Sequence, residues 1–399
     1  MIHDFQFLIH ESRPTSIVIA GSLAQKPGRG GHTWVFLQYI LGFKKLGWDV
    51  LFLDRLEPDM CTDETGTRTP VERSWNLRYA LDVMRGFGLS DDYALLYDEG
   101  AATLGLSRPD VLERVKRSAA LINVMGFLKD EEILAAAPRR VFLDIDPGFG
   151  QMWQALGQCE TFRGHDAHVT IAENIGTPDC PVPTCGLSWI TTRQPVVIDQ
   201  WPTANGFSTP EQPITSVGSW RGAFAPVAYQ GKVYGLRAHE FRRFAALPAL
   251  TGSRFEVALD IHPADAKDVA LLCDHGWGLV EPRRAAGDPW RYRNYIRRSS
   301  AEVMIAKGMY VQTRSGWFSD RSICYLASGR PVLAQDTGFG DSLPTGEGLL
   351  TFTTVEEAAE ATRAIGRDYT RHARGARRLA EDYFDSSKVL SKLAQKLAL

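Results

Sequence analysis

The chain has 399 residues, of which 44% are hydrophobic and 23% charged, and its formal net charge is −2. This length suits two domains of similar size, and the charge balance excludes a dedicated binder of nucleic acid or anionic membranes, which would need a basic field. Its six cysteines lack the paired short spacings of a zinc site, so we expect free thiols in a reducing compartment.

The N-terminal sequence MIHDFQFLIHESRPTS contains acidic residues and histidine before any apolar run, which is unlike a signal peptide. Nowhere does the chain approach about 18 unbroken apolar residues, the length that a membrane-spanning helix requires. We therefore expect a cytoplasmic protein without a membrane span.

The first half alternates short apolar runs with helical patterns, which predicts a parallel sheet with right-handed crossovers. The first unit is a strand at Ser16–Gly21, a helix at Thr33–Leu46 and a strand at Trp48–Asp54. Further strands are predicted at Ala120–Phe127, Arg140–Asp146, Ala167–Asn174 and Pro195–Asp199. The insert 57–74 is rich in Thr, Asp, Glu and Pro, and is either part of a substrate rim or a surface excursion.

A stretch dense in Pro, Gly, Thr and Ser, 200–213, separates the halves and predicts domains at 1–205 and 206–385, followed by a final segment at 386–399. The second half again alternates strands and helices. The strands are predicted at Ile214–Gly218, Phe255–Asp260, Met309–Thr313, Val332–Gln335 and Leu349–Phe352, and the helices at Arg237–Leu247, Ala264–Cys273, Asp320–Ser328 and from Val355 onward.

The loop after the first strand, AGSLAQKPGRGGHTW, carries Gly28, Gly30 and Gly31, which let backbone approach a ligand near the start of a helix. The spacing is not G-x-G-x-x-G and no P-loop lysine follows, so neither dinucleotide nor P-loop binding is supported. His32 in this loop could take a proton from a hydroxyl near neutral pH. Alternatively, it caps the helix or packs beside Trp34.

The segment from Ser315 to Gly346 places a helix N-terminus beside the ends of predicted strands. Ser319 and Asp320 occupy its capping position, where free amides could hold an anion such as a diphosphate. Plain capping, without a ligand, is the alternative interpretation.

Beginning in this segment, CYLASGRPVLAQDTG followed by LPTGEGLLTF and TVEEAAEAT resembles the nucleotide-sugar-binding half of a GT-B glycosyltransferase of the retaining, group 1 type. The run GGHTWVFLQYILGFKKLGWDVLFLD resembles the first helix and second strand of that family. The resemblance covers Tyr292 to about Leu390 well and the rest loosely. It implies an α/β fold of two Rossmann-like, doubly wound domains facing a cleft, with the final helix crossing back to the first domain.

The resemblance implies a nucleoside-diphosphate sugar as donor, an unknown acceptor, and neither metal nor cofactor. The residues that it places at the donor are Gly218, Ser219, Trp220, Arg237, Arg314, Ser315, Gly316, Trp317, Ser319, Asp320 and Arg321, with Lys232 as an alternative to Arg237. The acceptor or sugar loop would contain Gly30, Gly31, His32 and Asp146. His32 would be the base if the enzyme inverted, whereas Asp146 could instead cap the helix after Pro147.

The sequence departs from the family at one motif. Two glutamates eight positions apart are expected before the GRPV turn, and Gly316 and Cys324 stand there instead. Asp320 is the remaining acid in this stretch, and so becomes the candidate for the contact to a donor hydroxyl.

Three alternatives remain at this stage. A nucleotide-sugar epimerase could use the same cleft, and a non-catalytic binding member could lack the glutamates. A nicotinamide oxidoreductase could use Asp54, at the end of the second strand, as its ribose ligand, although the missing glycine fingerprint counts against it.

Overall fold

The structure is a computed structural model that describes residues 15–203 and 211–399. The N-terminal segment 1–14 and the predicted boundary at 205/206 lie outside these residues.

The first half of the chain forms a sheet whose inner strands are apolar runs buried on both faces, as in other parallel sheets. Its strands are β1 (Ser16–Ala20), β2 (Asp49–Leu56), β3 (Tyr93–Tyr97), β4 (Ala102–Gly105), β5 (Ala120–Val124), β6 (Arg140–Asp144), β7 (Ala167–Thr170) and β8 (Trp189–Thr191). Among the described residues the order is β4-β3-β2-β1-β5-β6-β7-β8, and every neighbouring pair except β3 with β4 is parallel.

Five helices of the described part cover this sheet: α1 (Gly30–Lys45), α2 (Trp75–Gly86), α3 (Arg108–Arg117), α4 (Glu131–Ala136) and α5 (Phe149–Ala155). Side chains cap three of them, because Ser74, Ser107 and Asp130 each accept a hydrogen bond from a backbone N–H in the first turn.

The second half begins a new sheet. Its strands are β9 (Ile214–Ser219), β12 (Phe255–Asp260), β13 (Trp277–Leu279), β14 (Ala301–Met304), β15 (Val332–Gln335) and β16 (Leu349–Phe352), with β10 (Val227–Tyr229) and β11 (Lys232–Tyr234) forming a separate hairpin. In the described chain the order is β13-β12-β9-β14-β15-β16, with all neighbours parallel.

The helices of this half are α6 (Arg237–Arg243), α7 (Leu247–Thr251), α8 (Ala266–Asp274), α9 (Pro282–Ala286), α10 (Pro289–Arg297), α11 (Gly308–Thr313), α12 (Asp320–Ala327), α13 (Val355–Arg367) and α14 (Tyr369–Leu379). After a π-helical turn at Ala380–Phe384, the chain ends in α15 (Ser386–Lys396). Helix α15 packs on α1 of the first half, where Gly42 lets Leu390 and Ser386 approach closely.

Two predicted strands are wrong. Met309–Thr313 lies in α11, and the strand of this region is β14, a few residues earlier, where Ala301–Met304 are completely buried between neighbours. Pro195–Asp199 makes a single bridge, from Val196 to Asp385, before a 3-10 turn at Ile198–Gln200. Val196 donates to the Phe384 carbonyl and accepts from the Ser386 N–H, so this segment pairs with the chain before the last helix.

Both sheets have a point where connections leave in opposite directions, between β1 and β5 and between β9 and β14. Doubly wound sheets bind ligands in the crevice outside the carboxyl ends of their strands at this point. The two crevices face each other across an interdomain cleft. Within the described residues, none of the helices is both long and apolar enough to cross a membrane.

Candidate active site in the interdomain cleft

The cleft contains two connected chambers. The inner chamber, about 390 Å³, is lined by His32 and Asp146 from the first domain and by Gly218, Arg237, Lys307, Asp320 and Arg321 from the second. The outer chamber, about 840 Å³, is lined by Thr62, Asp63, Trp75, Arg221, His262 and Arg283. One ligand or two adjacent ligands could span the chambers, because their shared lining includes Lys26, Arg29, His32, Ser219, Asp260 and Arg283.

Arg237, in the inner chamber, forms no ion pair with a carboxylate of the described residues, although Asp320 and Asp146 line the same chamber. Its Nη1 donates to the carbonyl of Ser219 at 3.2 Å, and its buried Nε has no hydrogen-bond partner. A side chain at Gly218 would lie 2.3 Å from Nη1, so glycine at the end of β9 makes room for the guanidinium. Burial, together with Arg321 nearby, lowers the pKa of Arg237 to about 10, which leaves it charged at neutral pH.

Arg321 lies beside it but is already paired. It forms an ion pair with Glu302, which is completely buried on β14, and donates from Nη1 to the carbonyl of Val217 at 2.9 Å. Burial disfavours the charge on Arg321, yet the Glu302 carboxylate keeps the pKa of Arg321 above its ordinary value. At this wall of the chamber Arg321 is thus paired with a carboxylate, whereas Arg237 is not.

Helix α12 begins at the same wall. Ser319 is its N-cap, and Ser319 Oγ accepts from the N–H of Arg321 at 3.2 Å. Asp320, half-buried, lines the inner chamber, and burial raises the pKa of its carboxyl. In this turn, therefore, Ser319 caps α12 and Asp320 lines the cleft.

Residues 314–317, just before this turn, contact other parts of the protein and do not line the chambers. Asn174 of the first domain donates from its backbone N–H to the Ser315 carbonyl at 3.0 Å, and from its side chain to the Arg314 carbonyl at 2.9 Å. Gly316, at φ +75°, leaves room for Asn174, and Trp317 stacks on Tyr310 at 4.0 Å. This stretch joins the two domains instead of lining the chambers.

Two further predicted donor residues also lie elsewhere. Trp220 is completely buried in the core of the second domain, where its indole N–H donates to Asp268 at 2.8 Å. The Arg314 side chain pairs with Asp336 at 2.8 Å on the surface. Lys232, the alternative to Arg237, is exposed on β11 and lines neither chamber in the described structure.

The glycine loop contacts the second domain and also lines the cleft. A side chain at Gly30 would lie 2.2 Å from the Asp288 carbonyl oxygen, and one at Gly31 would lie 2.9 Å from the Tyr292 ring. These glycines let α1 approach α9 and α10 of the second domain. Gly31 still lines the inner chamber, whereas Gly30 is buried in the contact.

His32 lies in the first turn of α1 and faces both chambers. Its Nε2 is 3.1 Å from the Ser22 carbonyl oxygen, and its ring meets Phe36 edge-on. Burial, with Lys26 nearby, lowers the pKa of the imidazole to about 3, so His32 is neutral at physiological pH. It does not cap the helix, and its alternative packing partner is Phe36, not Trp34.

Asp146 does not cap α5, whose N-cap is Gly148. Its carboxylate instead accepts from Lys307 Nζ at 2.9 and 2.7 Å and from the Tyr310 hydroxyl, all across the domain boundary. Asp144, two residues earlier, is buried and accepts from Gln151 and Thr170. Burial raises the pKa of Asp144 to about 6.

Asp54 fixes the backbone of the glycine loop at Ala24. The Asp54 carboxylate accepts from the Ala24 N–H at 2.7 Å, and Asn76 donates to the Ala24 carbonyl at 2.8 Å. Because Asp54 is completely buried, it cannot contact a ribose, which removes the basis of the oxidoreductase alternative.

Sequence reasoning missed Lys26, Lys307 and Arg283 as residues of the cleft. Lys26 lies within the glycine loop that the sequence did indicate. Lys307 follows β14, which was misplaced, and Arg283 lies in a helix that showed no site pattern. In the described parts of the chain, no three His, Cys, Asp or Glu side chains come together as a possible metal site.

The chain has the GT-B fold, with two Rossmann-like domains facing a cleft. No family model matches the sequence, and neither does any curated protein. By structure, the chain is similar to an alpha-glucosyltransferase solved with UDP, with a TM-score of 0.55, 12% identity, and coverage of 96% of this chain and 100% of that one.

Two other glycosyltransferases of this fold cover 96% of the chain and 99% of their own. Sucrose-phosphate synthase from Thermosynechococcus elongatus has a TM-score of 0.56 at 12% identity. HepE from Anabaena, solved with UDP and glucose, has a TM-score of 0.55 at 11% identity.

Proposed function

We propose that this protein is a glycosyltransferase that moves a sugar from a nucleoside-diphosphate sugar to an acceptor. The observation that carries the proposal is Arg237, a buried guanidinium inside the cleft of a GT-B fold that forms no ion pair in the part of the chain that the structure describes. A cation that is desolvated without a counter-ion is stabilised by an anionic ligand, and a diphosphate suits the planar fork of arginine.

In this proposal the diphosphate lies in the inner chamber between Arg237 and the N-terminus of α12. The peptide N–H groups at that terminus and the two guanidinium groups would stabilise the charge that develops on the leaving diphosphate. We propose that these cations meet that charge without a metal ion. Undiminished transfer in the presence of EDTA would support this, and a reversible loss would contradict it.

Asp320 and His32 would contact the transferred sugar from opposite walls. Asp320 supplies a carboxylate for a hydroxyl, and lies between positions 316 and 324, where the family resemblance expects glutamates. His32 is neutral and so can accept a hydrogen bond or a proton, although a pKa of about 3 makes it a weak base until a bound anion raises that value.

A panel of UDP, GDP, TDP, ADP and CMP in a thermal-shift assay tests the donor site. A nucleotide at 100 times its dissociation constant adds about 2.7 kcal/mol to the free energy of unfolding. Arg237→Ala should weaken the preferred nucleoside diphosphate by about 10-fold or more, since a charged hydrogen bond contributes roughly 1.5–3 kcal/mol.

The matched control is Arg85→Ala, because Arg85 is a mostly exposed arginine on α2 outside both chambers. Its nucleotide affinity should equal that of the unmodified protein. If none of the five nucleotides stabilises the protein, the donor-site proposal is wrong.

A binding protein without catalysis is the second candidate, and Cys324 favours it. This residue occupies a position where the family resemblance expects a glutamate, and it is buried against Gln38 of the first domain. Nucleotide binding without transfer or hydrolysis of any cognate sugar would favour the binding protein. Free nucleotide that appears only when acceptor is present would separate a transferase from an epimerase.

A further inference from the structure

The outer chamber is more basic than the protein as a whole. Its charged lining consists of four cations and two carboxylates, whereas the full chain carries a net charge of −2. The cations are Lys26, Arg29, Arg221 and Arg283, and the carboxylates are Asp63 and Asp260. A local excess of one sign attracts ligands of the other sign.

Two of the cations are already neutralised within the protein. Arg29 forms an ion pair with Asp260 at 2.7 Å, and Arg221 pairs with Asp265 just outside the chamber. The remaining acid, Asp63, accepts hydrogen bonds from the N–H groups of Thr65 and Thr67 within its own turn. Lys26 and Arg283 are the two cations of the outer chamber that remain after these pairs are accounted for.

Neither Lys26 nor Arg283 forms an ion pair among the described residues, and the nearby Asp146 carboxylate, which favours the charge on Lys26, is itself paired with Lys307. Arg283 lies over the Trp75 ring, 5.0 Å from its centroid, and donates to the Glu64 carbonyl at 3.2 Å. The Glu64 carboxylate itself pairs with Arg78. The guanidinium is therefore positioned across the cleft by an aromatic face and a neutral acceptor, without being neutralised.

Lys26 lies on a loop whose backbone is fixed by hydrogen bonds nearby. It lies two residues after Ala24, whose N–H and carbonyl are fixed by the buried side chains of Asp54 and Asn76. Burial and the nearby Arg29 both disfavour the charge on Lys26, and lower its pKa. A partly desolvated ammonium on a fixed loop is suited to an anion that arrives with a ligand.

We propose that the acceptor carries an anionic group, a phosphate or a carboxylate, that Lys26 and Arg283 bind in the outer chamber. The proposal rests on the proposed function, because it assigns the Arg237 end of the inner chamber to the donor and leaves Lys26 and Arg283, which line both chambers, to the acceptor. The two cations come from opposite domains, Lys26 from the first and Arg283 from the second. An anion held between them also draws the domains together around the reacting groups.

The test uses the full-length protein saturated with its preferred nucleoside diphosphate. Glucose, glucose 6-phosphate and glucuronate are then titrated by calorimetry, so that a neutral, a phosphorylated and a carboxylated sugar of one scaffold are compared. We expect at least one anionic sugar to bind about 10-fold or more tightly than glucose, and the stronger of the two identifies the anionic group.

Lys26→Met and Arg283→Ala should each abolish that preference while nucleotide affinity stays within about twofold of the unmodified protein. Lys116→Met, an exposed lysine on α3, is the matched control and should keep the preference. Retained nucleotide affinity shows that each variant is folded.

Equal binding of the three sugars, or binding of none of them to the nucleotide complex, would overturn the proposal. A Lys26→Met variant that loses nucleotide affinity and keeps the sugar preference would also overturn it, since Lys26 would then serve the donor. Failure of the proposed function itself is distinguishable, because no nucleotide would bind at all.

Discussion

Lys307 of the second domain and Asp146 of the first are in direct contact at the inner end of the cleft, with Nζ 2.7 and 2.9 Å from the two carboxylate oxygens. Their side chains are 11% and 22% exposed, and Tyr310 donates to the same carboxylate. The loops that follow β6 and β14 are thereby joined where the two sheets face each other.

We predict a coupling free energy of about 1–3 kcal/mol between Lys307 and Asp146, because the pair is partly desolvated and shares a network. A double-mutant cycle with Lys307→Met and Asp146→Asn, followed by urea unfolding, measures it. The Arg29–Asp260 pair is the control, since it also joins the domains but both side chains are 51% exposed. Its coupling should stay below about 1 kcal/mol. Equal coupling in the two pairs would contradict the prediction.

The carboxyl group of Asp54 should make stability fall as the pH rises. Burial raises its pKa to about 7 in the folded protein, whereas the pKa of Asp in an unfolded chain is about 3.9. Between these values the folded state binds more protons, so the free energy of unfolding decreases with pH by up to about 1.4 kcal/mol per unit from this group.

Asp54→Asn removes this titration and keeps an oxygen that can accept from the Ala24 N–H. Urea unfolding of both proteins at pH 5, 6, 7 and 8 measures the difference. The advantage of the variant over the unmodified protein should grow from pH 5 to pH 7 and level off above it. A constant difference across this range would show that Asp54 does not titrate there.

The sequence predicts the sheets better than the site, for a physical reason. Strands such as β1 and β15 are apolar runs buried on both faces, and such runs are visible in the sequence. The three-residue strand β13 has too little pattern to be detected. Met309–Thr313 was misassigned because its β-branched and aromatic residues suit a strand, although Gly308 starts a helix there.

Site residues depend on contacts between distant parts of the chain. Arg237 was predicted because it follows a strand that the family resemblance identified, whereas the contact of Lys307 with Asp146 spans 161 positions and leaves no local signal. Gly30 was interpreted as a site where backbone approaches a ligand, but the group beside it is the Asp288 carbonyl. A glycine in a sequence can indicate that a side chain would not fit, but it does not indicate which group lies beside it.

Gly30→Ala should therefore destabilise the contact between the domains. The new methyl group would lie 2.2 Å from the Asp288 carbonyl oxygen, which is backbone and cannot rotate away. We expect a loss of about 1–3 kcal/mol in urea unfolding. Gly366→Ala in α13 is the control, because no atom lies within 4 Å of its added methyl group, and it should be neutral or stabilising by up to about 1 kcal/mol. Similar losses in both variants would indicate a helix effect unrelated to the contact.

Arg321 and Glu302 should be strongly interdependent, since both are buried below the inner chamber. Arg321→Met leaves the Glu302 carboxylate without its counter-ion and should cost about 3–5 kcal/mol at pH 7. Burial already raises the pKa of Glu302, so without Arg321 it takes up a proton more readily, and the loss should shrink at pH 5. The double variant Glu302→Gln with Arg321→Met removes both charges and should be closer to the unmodified protein than the single variant. Urea unfolding of the three proteins at both pH values decides this, and a double variant less stable than Arg321→Met would show that the loss comes from packing and not from an unpaired charge.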